Sequence, residues 1–255
     1  GKSIAYLKDR TAIAVMNLKN KEEKIVLDKN VNYSYQDGDQ NFSWSPDSRY
    51  ILCNYQANGG WNNEDVALID VESGKITDLT ESGYTDSNFK WALKGKAMTW
   101  SSDKMGYRSH GSWGAERDIY IMFFDGKAYA DFRRDKEERE MAEMMKEDKD
   151  KKKEKKDSAK VEKKGEKLKL DFEDRKDRVM KLTRFSGRLG DHYLTQDGKK
   201  LFYMTRLEKS TDLCMLNLED NSVKVVAKGV RGAIHPDADD KCLFINSGGS
   251  ISKIL

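Results

Sequence analysis

FSWSPDSRYILCNY (42–55), followed by EDVALIDVESGKITDLT (64–80), returns later in the chain as HYLTQDGKKLFYMT (192–205) followed by TDLCMLNLEDNSVKVVA (211–227). Laying Trp44 on Leu194 sets Asp47 on Asp197, Ser48 on Gly198, Ile51 on Leu201 and Leu52 on Phe202. Each copy reads as four short strands: an aromatic or apolar strand, a Leu/Phe/Tyr strand, an alternating strand ending in Asp or Asn, and a last strand. A Pro-Asp or Asp-Gly turn joins the first two. Asp and Gly tolerate the special backbone angles of a tight hairpin, and Pro46 presets its own φ. VALIDV and CMLNL alternate with period two, as strands with one buried face do.

Working outward, FKWALKGKAMTW (89–100) opens one more unit and GAIHPDADDKCLFIN (232–246) another. SIAYLKD, AIAVMNLK and EKIVL (3–27) match the second, third and fourth strands of a unit without its first. Trp44 to Trp91 is 47 residues and Leu194 to Ile234 is 40, but Trp91 to Leu194 is 103. That last interval holds about 60 surplus residues against a repeat in the low forties. The expected fold is all-β: a partial β-propeller of four-stranded antiparallel blades, with one charged, partly helical insertion. The expected organisation is one propeller segment over 1–255. It divides into a partial blade (3–27), a blade (42–80), an interrupted blade (89–182), a blade (192–228) and a partial blade (231–255), with the insertion at 127–172. Joining the two ends in one blade would duplicate two strands, so the reading expects a piece of a larger ring.

The insertion also explains the composition. Of 255 residues 36% are charged, a borderline figure for a chain with a sizeable core. Yet 28 of the 37 residues at 133–169 are charged, and the remainder is about 29% charged and nearly neutral. KAYADFRRDKEEREMAEMMKE (127–147) places Tyr129, Phe132, Met141, Met144 and Met145 at helical spacing, which predicts a helix of about four to five turns docked through its first half. DKDKKKEKKDSAKVEKKGEK (148–167) is too polar to bury anything and is expected to be disordered. A solvated insertion is favoured over a docking arm. The net charge of +3 comes from this mixed-sign segment, so no nucleic-acid partner is expected. No apolar run approaches a membrane span, and GKSIAYLKDR does not read as a signal peptide. Cys53, Cys214 and Cys242 are isolated among apolar residues and read as buried thiols.

Catalytic chemistry finds little footing. GYRSHGSWGAERD (106–118) gathers Ser109, His110, Ser112 and Glu116, but loop neighbours seldom converge on one point and no strand-turn-helix elbow surrounds either serine. A structured loop is the first expectation. The alternative is a ligand- or partner-contacting loop through Arg108, Ser109, His110, Trp113 and Arg117. HPDADD (235–240) and YQDGDQ (35–40) lack the twelve-residue calcium pattern and read as turns. Trp44, Trp91 and Trp100 lie in expected strands and read as core. No catalytic residue, metal ligand or cofactor site is expected.

FSWSPDSRYIL resembles the repeat of TolB-like and tricorn-type propellers, with Ser48 where a glycine is usual. KAMTWSSDKMGYRSHGSWGAERDIYIMFFDGKAYADF (96–132), followed by the charged insertion, resembles the propeller of tricorn-protease homologues of the Bacteroidetes type, within the carboxy-terminal-processing-like serine peptidases. The resemblance implies a non-catalytic propeller portion that gates peptide substrates or product exit and supports domain assembly during proteolysis. It implies downstream PDZ-like and peptidase domains, a peptide or unfolded polypeptide as substrate of the full-length enzyme, and a homo-oligomer as one form of assembly. It also implies a periplasmic or envelope location, with the cytoplasm as the other option. Nothing in 1–255 matches the catalytic or PDZ portions, so no catalytic residue carries over. A stand-alone TolB-like propeller acting as a protein–protein interaction module is the alternative.

Overall fold

The Ser-Pro-Asp turn repeats down to its hydrogen bonds. Ser45 Oγ donates to Asp47 Oδ1 (2.6 Å) and accepts from Tyr50 N (2.9 Å), while Ser48 N reaches Ser45 O (2.9 Å). Thr195 stands in for Ser45: its hydroxyl donates to Asp197 Oδ1 (2.6 Å) and accepts from Lys200 N (3.0 Å), with Gly198 N on Thr195 O (2.8 Å). Ser48 and Gly198 both have left-handed backbone, at φ 60° and 72°. A side chain there costs roughly 1–2 kcal/mol, of which glycine's extra unfolded-state freedom gives back ~0.5–1. Ser48→Gly is therefore expected to stabilise the chain by about 0.5 kcal/mol, read as a small rise in the thermal or urea midpoint; a fall would show that the Ser48 side chain makes a stabilising contact.

These turns punctuate five antiparallel sheets in the computed structural model, which describes residues 1–56, 60, 62–108, 113–135, 137–142, 144–145, 167–247 and 249–254. The first sheet is β1 (Ser3–Lys8), β2 (Ala12–Asn17) and β3 (Glu23–Leu27). The second is β4 (Phe42–Trp44), β5 (Tyr50–Tyr55), β6 (Asp65–Asp70) and β7 (Ile76–Asp78). The third is β8 (Asp86–Ala92), β9 (Ala97–Ser102), β10 (Asp118–Phe123) and β11 (Val179–Lys181). The fourth is β12 (Leu189–Leu194), β13 (Lys200–Leu207), β14 (Ser210–Asn217) and β15 (Val223–Ala227). The fifth is β16 (Ala233–Pro236), β17 (Leu243–Ser247) and β18 (Ser250–Ile254). Every sheet runs up and down in chain order.

Each interior sheet buries both faces, which is why its central strands read as unbroken apolar runs. In β5, Tyr50 and Leu52 join a cluster with Met98, Trp100, Tyr120 and Met122 of the third sheet, while Ile51 and Cys53 join Ile13, Val15 and Val26 of the first. Period two in a strand thus becomes alternation between two neighbouring sheets. Ile119, Ile121 and Phe123 of β10 continue the pattern against Leu194, Leu201 and Leu216 of the fourth sheet, and Phe202 and Met204 pack on Ile234, Leu243 and Ile245 of the fifth. Four apolar seams join five sheets in series. The all-β propeller architecture is the one expected. Cys53 and Cys214 are buried in these seams, and burial pushes both thiols up; Cys242 is only half-buried, because it sits in the β16–β17 turn, where its N–H bonds Asp237 Oδ1 (3.0 Å).

The insertion departs from the expected single helix. Helix α1 (Gly126–Phe132), capped by Asp125 Oδ1 on Ala128 N (2.6 Å), ends after two turns. A second helical stretch covers 137–142 and 144–145. Between them Asp135 and Glu138 form a reciprocal capping box: Glu138 N donates to Asp135 Oδ1 (2.8 Å) and Asp135 N to Glu138 Oε2 (3.2 Å). That box starts a new helix instead of continuing the old one. Docking through the first half does occur, with Tyr129 and Phe132 ringing Phe123 at 5.4 and 5.1 Å. Residues 148–166, where disorder is expected, lie outside the described residues. The expected end of the insertion at 172 also needs correcting in character. At 168–172 the chain is an extended strap, with Leu168, Leu170 and Phe172 packed over the seam between the second and third sheets. Leu168 N on Asp47 Oδ2 (2.9 Å) and Asp171 N on Phe124 O (2.8 Å) fix its path.

Candidate functional site

The first strands of four sheets, β4, β8, β12 and β16, stand side by side at the edges of their sheets and line an open channel of about 1030 Å³. Its wall takes in Trp44, Trp91, Tyr193, Asp191, Arg117 and His235. Trp44 and Trp91, expected as core, are half-buried for this reason: one side packs on a seam and the other borders the channel. Trp91 Nε1 donates to Ser43 O (3.2 Å) and so ties the second sheet to the third. Trp100, by contrast, is core.

The wall is held by a charged clamp. Lys90 Nζ on β8 lies 2.7 and 2.8 Å from the two carboxylate oxygens of Asp191 on β12. Asp191 also accepts from His192 N (2.9 Å) and, across the next sheet boundary, from Ile234 N on β16 (2.7 Å). Lys90 and the Ile234 N–H hold the Asp191 carboxyl below the usual range despite its burial. His192 is fully buried behind it. Asn88 Nδ2 donates to its Nδ1 (3.3 Å), so the ring proton sits on Nε2 and is donated to Thr99 Oγ1 (2.9 Å). Burial, reinforced by the Lys90 charge, drives this imidazole down to about 3; it is neutral and structural.

Up-and-down strands sort the loops onto two faces of the molecule. The β9–β10 loop shares its face with the β5–β6 loop and with the connections between sheets: Arg108 Nη2 reaches Asn62 O (2.7 Å), and Arg117 N reaches Gly187 O (2.7 Å). This face is rich in exposed aromatics. Tyr107 is 68% exposed, Trp113 76% and Phe185 84%, with Tyr33, Tyr35 and Met105 alongside them in the same set of loops. Gly106 lets the two arms of its loop touch, since a Cβ there would lie 2.0 Å from Glu116 O, and Glu116 N closes onto Tyr107 O (2.8 Å). The charged insertion leaves from the opposite face, between β10 and β11.

Of the residues expected in a partner loop, Arg108, Trp113 and Arg117 all lie on this aromatic face, while Ser109 and His110 lie outside the described residues. Arg108 does not reach outward. Its guanidinium pairs with the fully buried Asp103 (3.1 Å), bonds Asn62 and Asn63, and lies 5.5 Å over the Tyr84 ring. It fastens two loops together. Arg117 bonds Ser87 Oγ (2.5 Å) and borders the channel, and Trp113 stands proud of the surface. Tyr107 and Phe185 were not singled out from sequence, although a lone aromatic among turn-forming residues, as in TRFSG (183–187), is a usable signal. Asp39 and Asp237 close turns through backbone N–H groups, and among the described residues no three His, Cys, Asp or Glu side chains are grouped to share a cation.

Solved structures with this arrangement include TolB from Acinetobacter baumannii, at TM-score 0.56 and 17% identity, matched over 99% of this chain and 48% of that one. The tricorn protease matches at TM-score 0.62 and 13% identity, over 100% of this chain and 24% of that one. A chain of the nidogen/laminin complex matches at TM-score 0.55 and 8% identity, over 100% and 74%. The likeness shows the fold. This chain is a β-propeller segment that spans about half the length of the TolB structure and about a quarter of the tricorn protease. No protein-family model and no curated protein matches it. Among the described residues no helix is long and apolar enough to cross a membrane.

Proposed function

We propose that the chain is the non-catalytic propeller portion of a tricorn-like serine peptidase, passing unfolded peptide toward or away from a catalytic domain elsewhere in the protein. The observation that carries this reading is the pairing of an open channel, walled by the first strands of four sheets, with a face of exposed aromatic side chains. Aromatic side chains on loops hold extended peptide by side-chain contact with little demand on sequence, and contiguous exposed apolar surface marks an interaction site. The resemblance of 96–132 to tricorn-protease homologues supports the peptidase setting, and with it an envelope or periplasmic location. In this reading the sheets are consecutive blades of one ring.

The test uses the chain of 255 residues and a fluorescently labelled, unstructured peptide. Saturable binding is expected, weakened about tenfold by Tyr107→Ser with Phe185→Ser, two exposed changes that leave the seams intact. Failure of the peptide to bind, or binding indifferent to both changes, would overturn it. Preference for a folded partner over unstructured peptide would support the interaction-module reading instead.

A further inference from the structure

Between the second and third sheets, three buried polar atoms have no hydrogen-bond partner: Asp86 Oδ1, Trp100 Nε1 and the Tyr120 hydroxyl. Their residues are 1%, 5% and 8% exposed, and all three line one cavity of about 240 Å³ that is separate from the channel. Orphaned buried polar groups are rare and costly, so three around one space call for an occupant. Trp100 and Tyr120 stack, centroids 5.5 Å apart, and give the cavity a flat aromatic wall. Asp86 Oδ2 accepts from Ser82 Oγ (2.6 Å); burial pushes the Asp86 carboxyl up, with the Asp65 carboxylate adding to it, against the hydroxyls of Ser102, Ser82 and Thr80. Lys104 and Lys176 line the same cavity and are exposed, with Lys176 paired to Glu81.

The donor and acceptor inventory selects the ligand. Trp100 Nε1 only donates, Asp86 as a carboxylate only accepts, and Tyr120 does either. An anion would leave Asp86 facing like charge, and a simple cation would leave Trp100 unsatisfied. A molecule with an ammonium at one end and a carboxylate at the other answers all three, and an aromatic wall favours the ammonium further. The volume suits roughly ten non-hydrogen atoms at protein packing density. We propose that this cavity binds a small zwitterion of the α-amino-acid type, its ammonium on Asp86 and its carboxylate toward Trp100, Tyr120 and Lys104. The proposal does not rest on peptide passage through the channel.

The Trp100 indole N–H resonance, assigned by its loss in Trp100→Phe, reports directly on the site. Titration with L-alanine and with Ala-Ala is expected to shift it saturably; whichever binds more tightly identifies a free amino acid or a dipeptide as the source. N-acetyl-alanine, which lacks the ammonium, should bind at least tenfold more weakly, and alaninamide several-fold more weakly. Asp86→Asn should lower affinity at least tenfold. Lys104→Ala, an exposed change that leaves the seams intact, should erase the difference between alanine and alaninamide. Absence of a saturable shift with either zwitterion, or equal binding of N-acetyl-alanine, would overturn the proposal, leaving ordered water as the occupant in the first case.

Discussion

Asp191→Ala is expected to destabilise the chain by about 3 kcal/mol, well above the loss of an ordinary hydrogen bond. Its carboxylate joins three sheets at once: Lys90 on the third, His192 N on the fourth and Ile234 N on the fifth. Removing it leaves the Lys90 ammonium, only 27% exposed, without its counter-ion, and leaves Ile234 N–H without its acceptor. Breaking a buried pair by deleting one partner costs ~3–5 kcal/mol, and partial exposure places this site at the low end. For a chain of this size that corresponds to a fall of about 6–12 °C in midpoint. Asp191→Asn keeps an acceptor and should recover part of the loss. In a Lys90→Met background the cost of Asp191→Ala should shrink by at least ~1 kcal/mol, since no stranded ammonium remains. Urea denaturation of the four variants measures this, and a loss below about 1 kcal/mol would mean that solvent already screens the pair.

The clamp also shows where sequence reading stops. The strands were legible from period two and from apolar runs such as ILC, although the period two of VALIDV suggests one buried face where both are buried, and the turns were legible because Asp47 and Asp197 do a job that few residues can. Asp191 and Lys90 were not. They lie about a hundred residues apart, and only the placement of β8 beside β12 brings them together. His192 was visible as one of three histidines, yet nothing local distinguishes a buried neutral imidazole from a surface one. Its role depends on Asn88 and Thr99, again from another sheet.

The insertion fails differently. Helical spacing from Tyr129 to Met145 is real, but Asp135 with Glu138 offers a capping box that stops one helix and begins the next, and that pair was there to be read. So was the alternation in LKLDF (168–172), which belongs to an extended strap rather than to the charged run before it. Composition averaged over the whole insertion hid both. In the candidate site, Arg108 looked available because arginines in loops usually are; Asp103, fully buried behind it, takes the charge inward.

Acid should separate two buried groups that titrate in opposite senses. His192 takes a proton below about 6.5 in the unfolded chain but resists one down to about 3 when folded, so between these values the unfolded state binds more protons. Its contribution is complete above pH 6.5 and is lost as the pH falls, by ~1.4 kcal/mol for each unit. Glu64 opposes this. Burial pushes its carboxyl up to about 7, against the help of Gln56, Arg117 and Asn54, so the folded state takes up a proton over much of the same interval and gains stability as pH falls. The Asp191 carboxyl, held low by Lys90, keeps its contribution throughout and loses it only in stronger acid. His192 and Glu64 therefore pull the wild-type profile between pH 6.5 and 4.5 in opposite directions, and the variants expose each. Relative to wild type, His192→Gln should gain about 2 kcal/mol on going from pH 6.5 to 4.5, whatever its stability at neutral pH. Glu64→Gln should lose stability over the same range. Urea midpoints measured every half unit of pH would decide it: if His192→Gln tracks the wild type in parallel, the imidazole is protonated in the folded chain and the buried neutral ring is wrong.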